Sequence, residues 1–359
     1  MKKNLFVCHS QAHLILSCGL VKGRFKDDIN QLILFVDFNI SSDINDRLHD
    51  TFDEILLLTG IYPANNKTWK SKLKRYPNDL KKIRFFMHQA YDRVFEVCDG
   101  SIPELYILKW AYKQNPDIKG AWLEDGSYPY FRNVIINEGL NSNFLTRWMR
   151  KIALKYLLGI GKYVKADFDE MGGSHWLPQA YLTFKGYERE IYKNKDIIAI
   201  TEKEYKEGIL TMYSHENMQL KYPSIVLVLD KLDVYKDINK VEKILKTILL
   251  FCSEKDIPVY YKYHPRENNN IDILHDCICL NKNMGIESYY IPAMNKYITV
   301  IGIKSTGLQS AKKLGFKTIS LSELTNENDT MVDQFYKSIN ILVPTQETQL
   351  IYYLEKHEI

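Results

Sequence analysis

Apolar and polar positions alternate in blocks along the whole chain. The run Asn4–Cys8 is short and apolar, and Ala12–Leu20 repeats its apolar positions at helical spacing. Gln31–Asp37 reads QLILFVD and Glu54–Leu58 reads EILLL. Leu105–Ile107 opens an amphipathic stretch, and Ala121–Leu123 runs into two acids. Short buried strands separated by helices predict a parallel α/β sheet. Past Tyr187 the pattern restarts with Ile197–Ile200, Ser224–Leu229, a helix over Val241–Cys252, Pro258–Tyr263, Tyr297–Ile301, a helix from about Gly307, and Thr318–Leu321. Two such series in 359 residues predict two Rossmann-like domains facing a central cleft. The boundary falls between 185 and 222, which gives domains of 1–190 and 191–359.

Composition narrows the class. With 45% hydrophobic and 26% charged residues, the chain has the make-up of a folded globular protein. A net charge of +4, with no long basic block and no zinc-ligand spacing, argues against a nucleic-acid partner. The six cysteines, Cys8, Cys18, Cys98, Cys252, Cys277 and Cys279, sit mostly in apolar segments without a paired framework, as reduced core thiols of a cytoplasmic protein would. No stretch approaches the 18 or so apolar residues of a membrane span. Leu145–Lys165, LTRWMRKIALKYLLGIGKYVK, interleaves apolar and basic residues around Trp148. It suits an interfacial helix on anionic lipid at the inner face of the cell membrane. It equally suits packing on its own domain, or on a second subunit in a homodimer.

Three places carry candidate chemistry. In AWLEDGSYPYF, Glu124 and Asp125 stand at a strand end beside Gly126. Taken alone they fit a solvated turn; as a pair, Glu124 would raise the pKa of Asp125 by like-charge repulsion, and Gly126 would let a substrate come close. In YYKYHPRE, Pro265 stops the strand and leaves His264 at its end between Lys262 and Arg266, a cationic setting for an anion or a plain structural histidine. In VIGIKSTGLQSAKKLG, Ser305 and Thr306 precede a helix whose N-terminus would receive a phosphate, or would simply be capped. Glu287 lies between these last two in sequence and could hold ribose hydroxyls. Asp167-Phe168-Asp169 has a metal-binding DxD form but lacks a convincing buried strand before it. Gly159-Ile160-Gly161-Lys162 lacks P-loop spacing. His9 and His13 could lie on one helical face but have no third ligand, and they read as packed or cleft-lining side chains. No metal site is expected.

The combination of Glu124-Asp125-Gly126, His264-Pro265 and Ser305-Thr306, in that order, resembles the D/E-D-G, H-P and S/S-T motifs of the bacterial sialyltransferase superfamily. NLFVCHSQAHL, DGSIPELYIL and SIVLVLD are similar to the lipooligosaccharide and capsule enzymes of that superfamily, and the likeness runs from about 4 to 322. The resemblance implies a GT-B fold, an acceptor-binding N-terminal domain and a C-terminal domain for CMP-sialic acid. It also implies inverting transfer to a surface glycan with no metal or cofactor. On it, Asp125 is the general base tuned by Glu124. His264, Pro265, Lys262, Arg266, Ser305 and Thr306 serve the CMP phosphate, and Glu287 the ribose. Two departures stand out: Ile291-Pro292 follows Glu287 where relatives place I-P before the glutamate, and Ser-Thr replaces Ser-Ser. The competing readings are a transferase for another nucleotide sugar such as CMP-Kdo, and a non-catalytic glycan-binding protein on the same scaffold.

Overall fold

A computed structural model describes residues 1–38, 40–60, 69–131, 152, 155–156, 159–163, 171–213, 220–282, 284–294 and 297–356, with the side chains of 69–74 left aside. The chain forms two compact units, Met1–Met212 and Tyr213–Ile359.

The first unit holds β1 (Lys3–Cys8), α1 (Gln11–Lys22), β2 (Ile29–Val36), α2 (Ser42–His49), β3 (Glu54–Thr59), α3 (Trp69–Phe86), β4 (Arg93–Glu96), α4 (Ile102–Gln114), β5 (Lys119–Leu123), β6 (Gln179–Leu182), β7 (Asp196–Ala199) and α5 (Glu202–Met212). Its strands form one parallel sheet in the order β3-β2-β1-β4-β5-β6-β7. β1 is central and buried on both faces. Leu5 and Val7 enter a core with Ile33, Phe35 and Trp122, while Phe6 stacks on Phe95 at 4.4 Å. The order changes direction between β1 and β4, so the loops beyond their C-terminal ends flank a crevice where open α/β sheets bind ligands.

Ile197–Ile200, read from sequence as the opening of the second domain, is instead the edge of the first sheet: β7 pairs in parallel with β6, Ile197 opposite Ala180. Residues 191–212 therefore belong with the first unit, and α5 lies on α1. The two helices meet through glycines. A Cβ on Gly19 would come within 2.0 Å of the Glu204 carbonyl oxygen, and one on Gly208 within 1.8 Å of the Ile15 carbonyl oxygen. Arg24 secures the contact, its Nε 3.0 Å from Glu204 Oε1.

The second unit contains β8 (Ser224–Val228), α6 (Ile238–Glu254), β9 (Val259–Lys262), β10 (Ile278–Cys279), α7 (Glu287–Tyr290), β11 (Ile298–Gly302), α8 (Thr306–Lys313), β12 (Lys317–Ser320), α9 (Thr330–Ser338) and α10 (Glu347–Glu355). Its parallel sheet runs β10-β9-β8-β11-β12, so the order reverses between β8 and β11. The apolar face of α6, Val241, Ile244, Leu245 and Ile248, packs with Ile225, Leu227 and Ile301 of the sheet. Cys8, Cys18 and Cys252 are buried free thiols, whereas Cys279 is exposed. Among the described residues no helix is long and apolar enough to cross a membrane. Most of 145–165 and all of Asp167-Phe168-Asp169 lie outside the described residues; Ile152, Lys155 and Tyr156 are exposed.

Candidate active site

In the first unit the site grows from the ends of β1, β4 and β5. Glu124 and Asp125 follow the end of β5 directly, and their side chains take separate surroundings. Glu124 turns inward, where its carboxylate accepts the Thr183 backbone N–H at 2.7 Å and the hydroxyls of Thr183 and Tyr130. Tyr130 in turn accepts the Phe184 N–H. The acid thus ties the β5 turn to the segment after β6. Asp125 turns the other way and is 43% exposed, and its Oδ1 lies 2.9 Å from His13 Nε2. Gly126 follows with φ +54°, a left-handed conformation that suits glycine in this turn.

The expected tuning of Asp125 by Glu124 is not what the structure holds. Burial pushes the Asp125 carboxyl up, but the hydrogen bond and field of His13 and the charge of His9 outweigh it, leaving the group below the ordinary carboxylate value. The neighbour in sequence is a structural acid, and the electrostatic partner is a histidine 112 residues away.

His9 follows β1 directly. Its Nε2 is 2.9 Å from Glu104 Oε1 and its Nδ1 3.7 Å from Asp37 Oδ2, and its ring stacks on Phe35 at 4.6 Å. Burial alone would lower its pKa; Glu104 and Asp37 reverse this and raise it to about 9. Glu104 itself is fixed by the Cys98 N–H and the Ser101 hydroxyl, where Ser101 caps α4. Glu96, fully buried, is pushed well above the carboxylate range by burial and by Glu104 and Asp99.

In the second unit the predicted residues gather at the C-terminal edge of its sheet. His264 sits two residues beyond β9, and Pro265 and Arg266 form the turn after it. His264 Nδ1 accepts the Arg266 backbone N–H at 3.1 Å, so the ring's proton is on Nε2. Burial and the charges of Arg266 and Lys262 lower its pKa, against a smaller raising effect from Glu267. The cationic setting adds to burial in favouring a neutral His264 ring. Lys262 is buried and donates to the Lys282 carbonyl at 3.3 Å; burial lowers its pKa while Glu287 raises it. Arg266 is exposed. Beyond β11, Ser305 caps α8 by accepting the Gly307 N–H at 3.3 Å, with Thr306 as the first helical residue. Lys304, just before, donates its N–H to Asp230 Oδ2 beyond β8. Glu287 opens α7 and accepts the Ser310 hydroxyl of α8 at 2.7 Å.

Sequence reasoning missed Glu267, which folds the H-P turn by accepting N–H groups of Leu232, Asn268 and Asn269. His9 and His13, read as packed or cleft-lining, are buried after the first strand, but their partners Glu104 and Asp125 were not foreseen. Among the described residues no group of three metal-binding side chains occurs.

A family model described as alpha-2,8-polysialyltransferase (POLYST) matches residues 4–325, which takes in all three motifs. The chain belongs to the alpha-2,8-polysialyltransferase family. It is a sialyltransferase, and its nucleotide-sugar donor and glycan acceptor follow from that membership. Comparison with curated proteins gives no match. Among solved structures, the alpha/beta-galactoside alpha-2,3-sialyltransferase from Photobacterium phosphoreum aligns over 97% of this chain and 99% of its own, with 10% identity and a TM-score of 0.56. The GT-B domain of a sialyltransferase from Photobacterium damselae aligns over 96% and 98%, with 13% identity and a TM-score of 0.51. The UDP-GlcNAc 2-epimerase from Methanocaldococcus jannaschii aligns over 99% and 92%, with 13% identity and a TM-score of 0.59. Likeness at such identities establishes the GT-B fold; it is the family match that separates a polysialyltransferase-family chain from an epimerase.

Proposed function

We propose that this chain moves sialic acid from CMP-sialic acid to a hydroxyl of a bacterial surface glycan, with inversion, and that the accepting hydroxyl belongs to a terminal sialic acid, so that an α2,8-linked chain grows. The family match across residues 4–325 carries this reading. Asp125 acts as general base. Its carboxylate takes the proton of the acceptor hydroxyl as that oxygen bonds to the anomeric carbon, and the bond from that carbon to the CMP phosphate oxygen breaks. The negative charge that develops on the departing phosphate is met by protein donors rather than by a metal. These are the His264 Nε2–H, the free N–H groups and positive end of α8 at Ser305 and Thr306, and the side chain of Arg266. Glu287, braced by Ser310, is assigned to the ribose hydroxyls.

The test supplies purified protein with CMP-sialic acid, CMP-Kdo and a UDP-sugar, and with sialylated and unsialylated acceptors, and analyses the products by mass and linkage. Elongation of the sialylated acceptor with CMP-sialic acid is expected. Turnover of another donor without turnover of CMP-sialic acid would overturn the reading. The basic, Trp-containing segment 145–165 is assigned to the anionic inner membrane face. Sedimentation with anionic liposomes that fails at low salt, or a concentration-dependent dimer in its place, removes that assignment.

A further inference from the structure

The hydrogen bonds of His13 run in one direction. The ring is buried in the first turn of α1, and its Nδ1 accepts the backbone N–H of His9 at 3.2 Å. A nitrogen that accepts an N–H carries a lone pair rather than a proton, so the ring's hydrogen is on Nε2. That nitrogen lies 2.9 Å from Asp125 Oδ1 and therefore donates to it. With both ring nitrogens engaged, His13 has no site left to take a proton from a substrate while this arrangement holds. The His9 backbone that sets the ring is itself pinned, because the His9 side chain is held by Glu104 and stacked on Phe35. Ser10 completes the brace by capping α1 through the His13 N–H.

We propose that His13 is a positioning residue for Asp125: its Nε2–H holds Oδ1, fixes the carboxylate's rotamer and leaves Oδ2 to receive the proton of the acceptor hydroxyl. The proposal rests on Asp125 being the base. The chain of contacts Glu104, His9, His13, Asp125 carries the order of the sheet's interior out to one half-exposed oxygen pair. Among the described groups nearby, Asp37 and Glu104 face His9, Glu96 feels Glu104 and Asp99, and beyond β5 stand Glu124 and Tyr130. Those two are occupied with each other and with Thr183. Among the described residues, the side chain hydrogen-bonded to Asp125 is His13.

Two isosteric substitutions separate the ring's two duties. His13→Asn keeps a polar atom where Nδ1 was, for the His9 N–H, but falls short of Asp125. His13→Gln reaches Asp125 with an amide N–H but gives up the Nδ1 position. Steady-state kinetics against pH are measured for both, for Asp125→Ala and for the double variant, with thermal melts alongside. Transfer needs Asp125 ionised and is lost as pH falls through its pKa; removing a donor to the carboxylate raises that pKa, so the acidic limb of the profile moves to higher pH. We expect His13→Asn to lower kcat about tenfold to a hundredfold and to move that limb upward, with the donor KM unchanged. His13→Gln should keep the wild-type limb and most of kcat, and His13→Asn should add nothing to Asp125→Ala. A His13→Asn enzyme with wild-type kcat and limb overturns the proposal. So does equal damage by both variants with the limb unmoved, which would mark His13 as a folding residue. Wild-type transfer by Asp125→Ala would instead bring down the base assignment, and this proposal with it.

Discussion

The two units prepare for charge in different ways. In the first unit the reactive group is charged before anything binds. Asp125 is a half-exposed carboxylate held below its ordinary pKa by His13 and His9 despite burial, above a buried His9–Glu104 pair. In the second unit, apart from the Arg266 guanidinium, the groups are neutral or backbone: His264 is kept uncharged by burial and by the charges of Arg266 and Lys262, and Ser305 leaves helix N–H groups at the start of α8. The difference suits the proposed chemistry. A base must be ionised and aimed from the start. Charge on a leaving phosphate appears during the reaction, and oriented dipoles that need no rearrangement suit it well.

If that division is right, losses should rank accordingly. Asp125→Ala should reduce transfer by about a thousandfold or more while CMP affinity, read by calorimetry, stays the same. A variant that transfers normally would break the comparison at its root. His264→Ala should cost about a hundredfold in kcat, with a weaker hold on CMP. Because the pKa of His264 is lowered, wild-type CMP affinity should change little above the ordinary imidazole range and strengthen only as pH falls below it, where the ring gains a proton beside the phosphate. An affinity that climbs already between pH 8 and 7 would contradict a neutral His264.

The buried pair makes a stability prediction of opposite sign to that of a carboxylate. The folded-state pKa of His9, about 9, lies above its value in the unfolded chain. Its contribution is therefore whole below about pH 6.5 and is lost as pH rises through 9. Denaturant melts of wild type and His9→Gln should differ by about 3 kcal/mol at pH 6 and converge toward pH 9.5. The smallest effect is expected at Ser305→Ala, about 1 kcal/mol in stability with a few-fold loss in CMP affinity. A loss as large as that of His264→Ala would mean the hydroxyl itself binds the phosphate.

Much of this was legible in the sequence. Apolar runs such as Phe6–Val7, Ile33–Phe35 and Val226–Val228 announced central strands because burial on both faces leaves no room for polar residues. The three motifs marked strand ends, where parallel sheets present loops. Arg93–Glu96 and Gln179–Leu182 were too short to stand out from their surroundings. Ile197–Ile200 was recognised as a strand but given to the wrong sheet, since periodicity reports a face and not a pairing partner. Glu124 and Asp125 lie just past the end of β5, and adjacency in sequence does not reveal that one is held by Thr183 and Tyr130 and the other by His13. His13 could not be matched to Asp125 from one sequence, because nothing local links positions 112 residues apart.

The crossing of α1 on α5 has a consequence for how this protein would answer a mutational screen. Gly19 and Gly208 touch no proposed substrate group, yet any side chain at either would strike the facing backbone. The displaced helix would be the one that presents His13. Scored by product alone, both glycines would register beside Asp125 among the intolerant positions. Only a parallel record of folded protein would place them in the frame that carries the chemistry rather than in the chemistry.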